Sequence, residues 1–187
     1  MHDSHIHISM SPLKENIFSD IDDFLQLNGK KILAQTTEYS DYDSTIELRD
    51  EINQKYGDIV DLGIGLHPSR FEDGIVRNEL GSTDIFVYAQ KQYDIFEEFF
   101  QRNISKVNAI GECGLDYFGM YEYNQFSSKQ IDEIKEVQRR IFTKICKLSF
   151  KYNIPLSIHS RDIQGSNECT KDTLKIISKE GKGVIRG

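Results

Sequence analysis

Two histidines one residue apart, His5 and His7, lie near the amino terminus in the run Asp3-Ser4-His5-Ile6-His7-Ile8. In an extended strand, residues i and i+2 leave the same face, so both imidazoles point at one spot. Imidazole is the commonest side-chain ligand for borderline divalent metals, and two rings held on a rigid strand lose little freedom when an ion binds. An isolated His-x-His pair is equally consistent with one core and one surface histidine. Three more residues of the same chemistry end other apolar runs: His67 after Ile59 to Leu66, Glu112 after Val107 to Gly111, and His159 after Ile154 to Ile158. A carboxylate behind a buried run is costly unless it is a ligand or is ion-paired, which singles out Glu112. The ordinary alternatives are a turn role for His67 before Pro68, and capping of the next segment for His159.

These residues need a scaffold, and the chain alternates apolar runs with amphipathic ones. Lys14 to Leu27 spaces Ile17, Ile21, Phe24 and Leu25 near helical periodicity and closes at Asn28-Gly29. Lys31 to Thr37 predicts a second strand. Ser44-x-x-Glu47 has the form of a capping box, opening a helix through Tyr56 with Gly57 as its stop. After the third strand, Ile59 to Leu66, the segment from Phe71 to Gly81 reads as a loop or a poorly formed element. Asp84 to Arg102 reads as a helix with Ile85, Tyr88, Ile95, Phe96, Phe99 and Phe100 on one face. A fourth strand, Val107 to Gly111, ends in Glu112, and Phe118 to Lys129 reads as an ordered loop over the strand ends. Gln130 to Asn153 is the most regular helix, Ile154 to Ile158 a fifth strand, and Glu168 to Lys179 a last helix. Gly183-Val184-Ile185-Arg186 starts a sixth strand.

Largely apolar strands alternating with helices mean a parallel sheet covered by helices, either a doubly wound open sheet or a (β/α)8 barrel. In a parallel barrel, functional groups collect at the C-terminal ends of the strands. That is where His5, His7, His67, Glu112 and His159 fall.

The chain has 187 residues, 38% hydrophobic and 28% charged, enough for one core, and a single domain over 1–187 is expected. A net charge of -7 excludes a broad basic surface for nucleic acid, so a phosphate-bearing substrate needs bound metal and a few local cations. Cys113, Cys146 and Cys169 form no C-x-x-C pair, which points away from a disulfide framework and toward a reduced, cytoplasmic setting. No run approaches the roughly 18 apolar residues of a spanning helix, and the amino terminus lacks the apolar core of a signal peptide.

Asp3-Ser4-His5-Ile6-His7, Gly65-Leu66-His67-Pro68, Ala109-Ile110-Gly111-Glu112-Cys113-Gly114-Leu115-Asp116-Tyr117 and Ile158-His159-Ser160-Arg161 resemble, in order, the successive signatures of the TatD-like metal-dependent DNases. The resemblance implies a (β/α)8 barrel of the metallo-dependent hydrolase type, of which about six of the eight βα units are present. It implies a nuclease that hydrolyses DNA phosphodiesters with a water activated by two divalent cations, Zn²⁺, Mg²⁺ or Mn²⁺. His5 and His7 would bind one ion, Glu112 would bridge both, and His159 would bind the second. Arg161 and His67 match catalytic positions lining the pocket, with Asp116 and Tyr117 supporting them. Related barrels hydrolyse amides, lactones and phosphomonoesters, and these remain the alternative substrates. The family continues with a further histidine and a later aspartate. Arg186 stands at the position of that histidine, so the chain reads as the front part of such a hydrolase, with three protein ligands for the first ion and two for the second. A truncated, non-catalytic remnant is the other alternative.

Overall fold

The computed structural model describes residues 1–122 and 126–180. Among them, five strands form one sheet in the order β1-β2-β3-β4-β5, every neighbouring pair parallel. The strands are β1 (His2–Ile6), β2 (Lys31–Gln35), β3 (Val60–Ile64), β4 (Ala109–Asp116) and β5 (Leu156–Arg161). Between them run α1 (Leu13–Gln26), α2 (Tyr39–Tyr56), α3 (Arg70–Val76), α4 (Ile85–Asn103), α5 (Gly119–Glu122) and α6 (Ser128–Tyr152), and α7 (Glu168–Glu180) follows β5. A doubly wound sheet reverses its strand order at a switch point. Here the order never reverses, so the sheet is a (β/α)8-type barrel seen over five of its strands. The expected sixth strand at Gly183 to Arg186 lies outside the described residues.

The apolar faces of the helices cover the outside of the sheet. Leu62, Ile64, Ile110, Cys113 and Leu115 pack against Phe96 and Phe100 of α4 and against Ile134, Val137, Ile141, Ile145 and Leu148 of α6. A second cluster joins Ile32, Ala34 and Val60 to Ile17 and Ile21 of α1 and Ile52 of α2.

Four readings of the sequence are corrected. First, α2 begins at Tyr39, not at Ser44: the Asp41 carboxylate accepts the Thr37 and Glu38 N–H groups at 2.9 and 3.4 Å. Ser44 lies inside the helix and donates its hydroxyl to Asp41 O, so its capping-box pattern is coincidental. Second, the segment expected to be loop from Phe71 holds α3, seven residues that bury Phe71, Glu72 and Gly74 and are too short to show a periodic stripe. Third, the stretch from Phe118 holds the single helical turn α5. Fourth, β4 continues to Asp116 and β5 to Arg161, so Glu112 and His159 are within strands, not behind them.

Both strands that carry the most distinctive motifs contain an extra residue. Ile110 and Cys113, three apart on β4, pair with Leu156 and Ile158, two apart on β5. Asp3 and Ile6 on β1 likewise pair with Ile32 and Ala34 on β2. An inserted residue breaks the two-residue alternation and re-aims side chains. On β4 it lets Ile110 and Cys113 both enter the core while Glu112 turns inward.

That turn requires close backbone approach. The Glu112 N–H reaches Thr36 O at 3.0 Å, across the end of β3. A Cβ at Gly65 would sit 2.3 Å from the Gly111 carbonyl carbon and 2.4 Å from the Glu112 nitrogen, so only glycine fits there. Gly65→Ala is therefore expected to cost roughly 3 kcal/mol of stability by overpacking, measured by urea denaturation. An unchanged midpoint would show that the β4 backbone does not pass as closely as described.

Candidate metal centre

The Glu112 side chain, 8% exposed, is the meeting point of four histidines. Its Oε2 lies 3.0 Å from His5 Nε2 and 3.3 Å from His7 Nε2, and those two nitrogens are 3.1 Å apart. Its Oε1 lies 2.7 Å from His159 Nδ1 and 3.8 Å from His67 Nε2. The residues singled out in four different segments thus converge on the two oxygens of one carboxylate.

The tautomers are set from behind. His7 Nδ1 donates to Gln35 O at 2.9 Å, which leaves the Nε2 lone pair facing His5 and Glu112. His159 Nε2 faces Asp116 Oδ2 at 3.0 Å, which leaves Nδ1 facing Glu112. Metal-binding imidazoles are held in this way, with the far ring nitrogen bonded to a carbonyl or carboxylate. Donor atoms about 2.0 to 2.2 Å from a four-coordinate ion lie about 3.2 to 3.6 Å from each other. The His5, His7 and Glu112 donors are within a few tenths of an ångström of that spacing. The donor set therefore fits a divalent ion shared through Glu112.

The electrostatics follow from the same contacts. Burial alone would raise Glu112, but hydrogen bonds from His159 and His7 hold its carboxyl well below the usual carboxylate range. Burial would likewise lower His159, yet Asp116 and Glu112 push it up to about 9. His7 is raised, chiefly by its hydrogen bond to Glu112. His67, desolvated and facing His159, is lowered to about 4. With no ion in place, the raised His159 ring holds a proton between the Glu112 and Asp116 carboxylates. A bound ion would take the place of that proton.

Asp116 is fully buried on β4 and forms the wall behind His159. Its Oδ1 accepts the Phe118 and Gly119 N–H groups at 2.9 and 3.1 Å. Arg161 holds both of its oxygens, with Nη2 2.8 Å from Oδ2 and Nε 3.2 Å from Oδ1. Burial opposes ionisation, but His159, the Gly119 N–H and Arg161 keep the Asp116 carboxyl at about 2. The Arg161 side chain is half exposed, and its guanidinium lies over the Phe118 ring. The Tyr117 hydroxyl points away, to Asp172 and Arg139, so Tyr117 joins β4 to α6 and α7 and does not touch the histidines or Glu112.

A cavity of about 310 Å³ opens beside the carboxylate, lined by His7, Glu38, His67, Arg70, Arg77 and Glu112 among others. A larger one, about 620 Å³, lies between α4 and α6 on the outer surface and includes none of the histidines. Arg70 and Arg77 escaped the sequence reading because α3 itself did. Arg70 pairs with Glu38 and Glu79, and Arg77 with Glu38. Glu72, also on α3, was missed for the same reason.

A (β/α)8 sheet whose strand ends gather four imidazoles around one carboxylate defines a metal-ready barrel of the hydrolase type. Residues 2–187 match the family described as TatD related DNase, and the chain belongs to that family. It is 22% identical over 179 residues to the human deoxyribonuclease TATDN3, covering 96% of this chain and 56% of the human protein. It is 24% identical over 159 residues to the uncharacterized metal-dependent hydrolase YjjV of Escherichia coli, covering 85% of this chain and 50% of that protein. The chain thus spans about half the length of these relatives. The crystal structure of YjjV superposes with a TM-score of 0.59 at 18% identity, over 94% of this chain and 65% of that one. A TatD family hydrolase from Entamoeba histolytica gives 0.61 at 26% identity, over 97% and 54%.

Glu72 yields a pH test. It is 2% exposed, and its Oε2 has no hydrogen-bond partner. Burial first, then the nearby Asp116 and Asp73 charges, push its carboxyl up to about 8. The folded state therefore holds a proton that the unfolded chain releases near its ordinary 4.5. Stability from this group is complete below about pH 4.5 and is lost as pH rises toward 8. Glu72→Gln should match wild type in thermal melts at pH 5 and exceed it by roughly 4 °C or more at pH 8. Equal melting temperatures at both values would contradict this assignment.

Proposed function

We propose that this chain is a metal-dependent hydrolase that cleaves phosphodiester bonds in DNA, using two divalent cations, Zn²⁺, Mg²⁺ or Mn²⁺, joined by Glu112. The observation that carries the proposal is the division of one buried carboxylate: Oε2 faces His5 and His7, while Oε1 faces His159. A carboxylate divided in this way is the arrangement that holds two ions close together. Such ions supply Lewis acidity for the phosphoryl oxygens and lower the pKa of a water between them.

The chain's own residues would do the rest. His5 and His7 hold the first position with Glu112 Oε2, and His159 holds the second with Oε1. Asp116 keeps the His159 ring turned toward Glu112. Arg161, fixed on Asp116 by two contacts and half exposed, offers a guanidinium edge to a substrate phosphate. His67 closes the wall opposite, over the cavity that also carries Arg70 and Arg77. With an overall charge of -7 and Arg70 already paired to Glu38 and Glu79, the half-exposed Arg161 is the cation this reading assigns to the phosphate.

The relative named a deoxyribonuclease and the family description support DNA as the substrate, and a single domain over 1–187 is part of the same proposal. Among the described residues no helix is long and apolar enough to cross a membrane. The three cysteines are free and buried, in keeping with a cytoplasmic setting.

Purified protein supplied with Mg²⁺ or Mn²⁺ is expected to release nucleotides from single-stranded DNA, with Glu112→Ala lowering the rate at least about 100-fold. Hydrolysis of a lactone, an amide or p-nitrophenyl phosphate without DNA cleavage would replace the substrate. No Glu112-dependent hydrolysis of any of them would end the proposal.

A further inference from the structure

We propose that His67 is itself a ligand of the second ion, so that Glu112, His159 and His67 form a three-residue metal site at the mouths of β3, β4 and β5. This inference rests on the two-ion reading above and gives the second ion three protein ligands where the motif comparison supplies two.

The three donor atoms already face one another. His67 Nε2 is 3.2 Å from His159 Nδ1 and 3.8 Å from Glu112 Oε1, and His159 Nδ1 is 2.7 Å from the same oxygen. All three lie within 4.8 Å of each other, as do the three donors of the His5, His7 and Glu112 set. Slight side-chain rotations, opening the His159 to Glu112 contact and closing the His67 to Glu112 one, bring all three to the spacing around one ion. The two rings meet edge to face, with centroids 4.4 Å apart and planes 70° apart, which lets both nitrogens aim at one point.

His67 is also held in place as a ligand must be. Its side chain is 14% exposed. Its N–H donates to Thr37 O at 2.8 Å, and its carbonyl accepts the Arg70 N–H at 3.1 Å. Arg70 in turn is tied to Glu38 at the start of α2, so the turn carrying His67 is fastened to a neighbouring unit.

Two tautomers fit the ring's other contacts. With the proton on Nδ1, Ser69 Oγ accepts it at 2.8 Å and Nε2 presents a lone pair. With the proton on Nε2, Nδ1 accepts the Ser69 N–H at 3.2 Å, and Nε2 becomes a donor. The first uses the shorter contact and matches the way His7 and His159 are held, with the far nitrogen bonded to oxygen. The second makes His67 a hydrogen-bond donor beside the site.

The test uses the whole chain labelled with ¹⁵N-histidine and loaded with ¹¹³Cd²⁺, together with equilibrium metal titrations of wild type and His67→Ala. Four imidazoles coupled directly to cadmium are expected, from His5, His7, His67 and His159. In the titrations, wild type should bind two ions, and His67→Ala should lose the second or bind it at least about 10-fold more weakly. Three coupled imidazoles, or a His67→Ala protein that holds two ions with unchanged affinity, would overturn this inference and leave the two-ion reading standing. A wild-type protein that binds fewer than two ions would overturn both. The coupling count needs no variant, so the outcome does not depend on His67→Ala folding.

Discussion

A carboxylate turned into the mouth of the barrel, away from bulk water, constrains everything around it. Leaving a buried charge unpaired costs several kcal/mol, so Glu112 needs polar partners on both of its oxygens. The structure answers with four imidazoles drawn from three segments, His5 and His7, His67, and His159. Imidazole suits the task because a ring can either donate a proton to a carboxylate or offer a lone pair to a cation. The proton on His159, held between Glu112 and Asp116, thus sits where the chemistry of the donors suits a divalent cation.

Placing Glu112 there demands departures from regular strand geometry. The extra residue in β4 breaks strand alternation, so that Ile110 and Cys113 both stay in the core while Glu112 turns inward, and Gly65 leaves room for the Glu112 backbone to reach Thr36. Gly114, at φ 145° with its Cα side against the His159 carbonyl, admits no side chain either. The outer faces of the same strands are ordinary. They bury Leu62, Ile64 and Leu115 against α4 and α6, which gives the strained inner positions a rigid support. Asp116 links the two sides: its backbone belongs to β4, its carboxylate orients His159, and Arg161 neutralises it.

The barrel architecture and the residues that meet at Glu112 were legible because their signals are local. Apolar runs mark the strands, and His5, His7, His67, Glu112 and His159 each stand out against such a run. What was not legible is what depends on contacts between distant segments. Ser44 and Glu47 match a capping pattern, but the acidic pair Glu38 and Asp41 starts α2 earlier, using the Thr37 backbone. The seven residues of α3 show no stripe, so Glu72 and the cavity-lining Arg70 and Arg77 went unnoticed. The strands were read as stopping short because Glu112, Gly114 and Asp116 interrupt the apolar run of β4, and His159, Ser160 and Arg161 end that of β5. The extra residues in β1 and β4 leave no mark in composition, since only the partner strand reveals them.

The central claim is that Glu112 is a metal bridge and not only the polar partner of the imidazoles around it. Crystals soaked in Mn²⁺ or Zn²⁺ and measured at the metal's absorption edge test it directly through anomalous scattering. The account predicts two peaks, one about 2.0 to 2.3 Å from Glu112 Oε2 and the His5 and His7 nitrogens, the other equally close to Oε1 and His159 Nδ1. An anomalous map with no peak beside Glu112, or with metal bound only elsewhere on the chain, would contradict it.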